Sequence, residues 1–61
     1  MPQITQKELS YLSDLLSAEQ LSTSLYRAAA SDESDAALKE RYTELAQRHQ
    51  RHFDQLYTNL K

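Results

Sequence analysis

Apolar residues recur at helical spacing in two stretches of the chain, with one short polar break between them. In the first stretch Leu9, Leu12, Leu15, Leu16, Tyr26 and Ala30 mark one side of a helix, Tyr11, Ala18, Leu25 and Ala29 widen it, and Leu21 sits at its margin. Only Gln6, Ser10, Ser13, Ser17, Gln20 and Ser24 form an unbroken polar strip. The apolar arc therefore exceeds half the circumference, more than one neighbouring helix can cover. In the second stretch Leu38, Tyr42, Leu45, Phe53, Leu56 and Leu60 form a narrower stripe. The break, Ala30 to Asp35, carries three acids and two serines, which suits a short connection closed by an N-cap at Ser34 or Asp35.

The start of the first helix has its own signature. Thr5 and Glu8 stand at capping-box spacing, and Ile4 and Leu9 at that of a hydrophobic staple. Glycine is absent and the single proline is Pro2, so nothing in the body of the chain breaks a helix. Tight β-hairpin turns, which favour glycine, are not expected either. The pattern predicts an all-α fold in one domain: helix 1 over about 6–31, a turn over about 32–35 and helix 2 over about 36–59. The EF-hand pattern of alternating oxygen ligands and a glycine is missing from the acidic turn, so calcium binding there is not expected.

Folding the two helices into an antiparallel hairpin at 33–35 sets level those positions whose numbers sum to about 68. Apolar residues then match: Ala30 with Leu38, Tyr26 with Tyr42, Leu12 with Leu56, Tyr11 with Tyr57 and Leu9 with Leu60. The same register brings Glu19 level with His49, and Leu16 level with His52. His49 and His52, the only histidines, are three residues apart and share one helix face, His49 near the middle of the stripe and His52 at its edge. Glu19 lies inside the first helix's apolar arc, with Leu15 and Leu16 one turn before it.

A carboxylate placed among apolar residues must be paired, protonated or bound to a metal, because burying it alone costs several kcal/mol. One reading makes Glu19 and His49 a hydrogen-bonded pair that fixes helix register, with His52 beside it. The other makes Glu19, His49 and His52 ligands of a metal ion. The chain has 61 residues and no cysteine, which leaves a metal, oligomerisation or idealised helix packing as the usual supports for so small a domain. The wide arc on helix 1 predicts a second partner for that helix. Pairing of two hairpins into a homodimeric four-helix bundle would supply it and would gather two copies of each ligand.

Charge changes the picture mainly by exclusion. With a net charge of −2 and a pI near 5.5, and with Arg48 and Arg51 interleaved with Glu44 and Asp54, the chain lacks the concentrated basic face that nucleic acid requires. No apolar run approaches the roughly 20 residues of a membrane span, and the amino terminus lacks the apolar core of a signal peptide. The expected location is the cytoplasm, or a structure built from it. The four tyrosines fall at packing positions, and the serines offer no Ser-His-Asp geometry or oxyanion pocket, so hydrolytic catalysis is not expected.

Taken together, the capped first helix with Leu15-Leu16-x-x-Glu19, the Ser/Asp-rich turn, Leu38-Lys39, and Leu45-Ala46-x-x-His49-x-x-His52-Phe53-x-x-Leu56 resemble the short spore coat proteins of spore-forming bacteria, relatives of the coat F family. That family is counted among the ferritin-like proteins. The resemblance spans about Thr5 to Leu60 and implies a hairpin that pairs into a ferritin-like bundle, with a place in or near the spore coat and other coat proteins as partners. The ferritin-like metal pattern is a Glu on one helix and Glu-x-x-His on the next. Glu19 matches the first Glu and His52 the His, whereas His49 stands where the second Glu belongs. A bundle dimer would then hold two carboxylates and four imidazoles, a set suited to a single divalent ion such as zinc or iron rather than to a di-iron centre. Two functions are expected from this reading: a small structural or interaction protein of the spore coat, or a small metal-binding protein with redox activity. A third possibility is that the exposed part of helix 1 receives a helix from a different protein.

Overall fold

The computed structural model describes residues 4–60; Met1, Pro2, Gln3 and Lys61 lie outside the described residues, and with them the readings placed on Pro2 and on the first three positions. Two helices make up the fold, α1 (Gln6–Asp32) and α2 (Ala36–Leu60). They pack against each other as a hairpin.

Local chemistry sets the helix ends. The Thr5 hydroxyl accepts from the Glu8 backbone N–H at 3.1 Å while the Glu8 carboxylate accepts from the Thr5 N–H at 3.1 Å, so two otherwise orphaned donors are satisfied reciprocally. The backbone hydrogen bond from Thr5 is the main reason that the Glu8 carboxyl is held below its ordinary pKa. At the other end α1 stops at Asp32, and Glu33 turns to extended geometry at φ −83°, ψ 129°. No residue with positive φ is needed among the described residues, so the absence of glycine costs the turn nothing. The Glu33 carboxylate accepts from the Asp35 N–H (3.0 Å), and the Asp35 carboxylate caps α2 by accepting from the Leu38 N–H (2.9 Å).

The seam between the helices is lined by small residues. Thr23, Ala30 and Ala46 are the buried ones among those described, and no large side chain is fully buried. The Thr23 hydroxyl is accommodated there because it donates to the Glu19 carbonyl one turn earlier at 2.8 Å. Larger apolar residues (Leu12, Leu16, Tyr42, Leu45, Phe53, Leu56) flank this seam half-buried. Tyr26 stacks on Tyr42 with ring centroids 6.2 Å apart, a pair expected to lie level in the hairpin register.

Much apolar surface stays outside. Leu9, Tyr11, Leu15, Leu21 and Leu25 on α1, and Leu38 and Tyr57 on α2, are all exposed. The hairpin measures 48 × 16 × 11 Å and has an accessible surface of 5011 Å². A compact protein of its 7.1 kDa mass would expose about 4,100 Å². The excess, about 900 Å², comes from two helices lying side by side with no third layer over them. No helix among the described residues is long and apolar enough to cross a membrane.

Candidate metal centre

Glu19 projects from the middle of α1, and His49 and His52 from adjacent turns of α2. The antiparallel fold brings the three together although 30 and 33 residues of chain separate the partners. One carboxylate serves both rings: Glu19 Oε1 lies 2.5 Å from His49 Nδ1 and Oε2 lies 3.0 Å from His52 Nδ1. An ionised carboxylate can only accept, so each Nδ1 carries the proton in this arrangement. The expected Glu19–His49 partnership is thus present. His52, set level with Leu16 by simple register counting, also reaches Glu19, because the imidazole extends along the helix toward the preceding turn.

Exposure grades across the three groups. The Glu19 side chain is 18% exposed, His49 26% and His52 42%, so the cluster lies at the border of the seam and not at its centre. Tyr26 covers the far side of His49, stacked nearly parallel at 5.6 Å between centroids with an interplanar angle of 8°. The two imidazoles meet edge to face at 5.9 Å. On the open side, Leu15, Glu19, His52, Gln55, Leu56 and Asn59 line a shallow depression.

The electrostatics favour a charged Glu19. Its carboxyl is held below its ordinary pKa, first by the hydrogen bond from His49 and further by the charge of both imidazoles and the hydrogen bond from His52, while partial burial works in the opposite direction. Geometrically, the ligand atoms that the three residues can offer all lie within 4.8 Å of one another. Ligand atoms around a tetrahedral zinc stand about 3.3 Å apart, so with Glu19 Oε1 and His49 Nδ1 as ligands an ion would displace the Nδ1 proton and leave the two atoms somewhat less than 1 Å farther apart than they stand here. The donor set, two imidazoles and a carboxylate, suits a borderline divalent cation.

Reasoning from large apolar residues overlooked one contributor. Thr23 fills the seam one turn beyond Glu19 and bonds to its carbonyl, which lets α2 approach closely where the site forms. Its place on the face of Leu12, Leu16 and Ala30 was the available signal. Beside the site Arg27 donates to the Gln50 side chain at 3.5 Å, a second polar link between the helices.

No protein-family model, curated protein or solved structure matches this chain.

Proposed function

We propose that the protein is a small structural module, suited to a spore coat, which pairs as a homodimeric ferritin-like four-helix bundle and is stapled by a divalent transition-metal ion, zinc or iron, at Glu19, His49 and His52. The observation that carries this reading is the convergence of three ligand groups from both helices within 4.8 Å. Two features support a role for the ion as a staple. Among the described residues, the buried ones of the seam are all small and the large apolar ones only half-buried, so a bond network joining α1 to α2 would add to a contact with little buried bulk. The excess surface of about 900 Å² is also close to the roughly 800 Å² that each partner contributes to a standard interface, and the open side of the site borders exposed Leu15. A two-fold pairing over that side gathers two carboxylates and four imidazoles around one centre.

The competing reading is a metal-free latch, in which the carboxylate holds both rings and fixes helix register. It is favoured by one observation: each Nδ1 already has a carboxylate oxygen as partner. Purification without chelator followed by metal analysis separates the two. The proposal expects stoichiometric metal that disappears, together with part of the thermal stability, in a His49→Ala variant. A metal-free protein whose melting is unmoved by zinc, iron or copper would leave the latch.

A further inference from the structure

We propose that α1 carries a second self-association seam, formed by Ala18, Leu21, Leu25 and Ala28, on which α1 of another copy packs antiparallel. Leu21 and Leu25 are each 61% exposed, more than any other large apolar residue described. At roughly 100° per residue they project from the side of α1 opposite Thr23 and Ala30, the residues buried against α2. They also lie beyond the Leu15 and Glu19 face used by the proposed bundle, so the seam goes beyond that reading and does not depend on it.

The pattern indicates what covers this surface. Ala18, Leu21, Leu25 and Ala28 follow the 3-4-3 spacing of a two-heptad coiled-coil seam. Extended by one position at each end, residues 14, 18, 21, 25, 28 and 32 read Asp, Ala, Leu, Leu, Ala, Asp in either direction. A contact between identical copies about a two-fold axis requires a self-complementary patch. With the axis at the level of Thr23, Leu21 packs on Leu25 of the second copy and Ala18 on its Ala28, each large residue against a large one and each small against a small. Between Asp14 and Asp32 the only charged residues of α1 are Glu19 and Arg27, and both are bonded to α2, so no charge falls on the seam.

Two leucines and two alanines cover far less than the roughly 800 Å² per partner of a standard interface, so one such contact is weak. Its effect is multiplied when each dimer presents two seams, on opposite sides, and successive dimers link into a string. The antiparallel register also sets Asp14 level with Asp32 of the next copy, a like-charge contact at each end that limits growth and that salt relieves.

Sedimentation of the full chain, over a concentration series reaching the near-millimolar range, tests the seam. The expected result is an average mass that exceeds the dimer's and rises with concentration. In Leu21→Glu it stops rising, with helicity unchanged because the site is exposed. Asp14→Lys is expected to strengthen growth, since its ammonium would face Asp32 of the next copy. In a parallel pairing position 14 faces itself, and the same substitution would bring no gain. A mass that Leu21→Glu leaves unchanged, whether or not it rises with concentration, or no gain from Asp14→Lys overturns the proposal. A wild-type dimer that becomes a monomer in Leu21→Glu would establish the seam while removing the four-helix bundle.

Discussion

Replacing Glu19 with alanine removes the single group that both imidazoles share. In chelator the loss is that of two hydrogen bonds to a charged acceptor, at 2.5 and 3.0 Å. Hydrogen bonds to charged groups contribute roughly 1.5–3 kcal/mol each. The bond to His52 is discounted to about 1 kcal/mol or less because that side chain is 42% exposed and water competes for it. The sum is roughly 2–4 kcal/mol. At nearly 8 °C per kcal/mol for a domain of this size, the melting temperature of Glu19→Ala should fall by about 15–30 °C, as read from the helical circular dichroism signal. Adding zinc should raise the wild-type melting temperature and leave that of the variant nearly unchanged. If the two proteins melt together in chelator and respond alike to zinc, Glu19 supports neither the hairpin nor an ion, and the reasoning fails.

Other consequences are smaller or more local. Thr5→Ala opens the capping box and should cost about 1 kcal/mol, visible as a lower melting temperature with metal affinity unchanged. Ala46→Leu inserts three carbons where the helices touch at 3% exposure, so it should destabilise by roughly 1–3 kcal/mol and weaken metal retention as the ligands separate. Acidification should have a defined sign. The Glu19 carboxyl is held below its ordinary value of 4.5 in the folded state, so its contribution is fully present above that pH and is lost as pH falls through the lower folded value. The stability difference between wild type and Glu19→Gln, measured in chelator, should therefore shrink as pH drops below about 4.5.

Most of the fold could be read from local chemistry. Thr5 and Glu8 announced the start of α1, the acidic turn its end, and the lack of glycine or internal proline pointed to helix on both sides of that turn. The register counted from the turn set Glu19 beside His49 and Tyr26 beside Tyr42, since an antiparallel hairpin with a short turn has little freedom to slide. Less legible was what lies at the centre of the contact. Periodicity weighs large side chains, whereas the helices meet through Thr23, Ala30 and Ala46, whose small size permits the close approach that brings His52 to the same carboxylate as His49. The wide arc on α1 correctly indicated surface that α2 does not cover, but arc width alone does not distinguish the Leu15 side from the Leu21 and Leu25 side. That distinction needed the observed position of α2.

A crystal structure grown with zinc, with the ion located by its anomalous scattering, tests the central claim most directly. The account predicts a single peak per pair of chains, with its protein ligands drawn from Glu19, His49 and His52 of both. A peak elsewhere, or a zinc-soaked protein in which Glu19 still holds both rings with no ion between them, would contradict it.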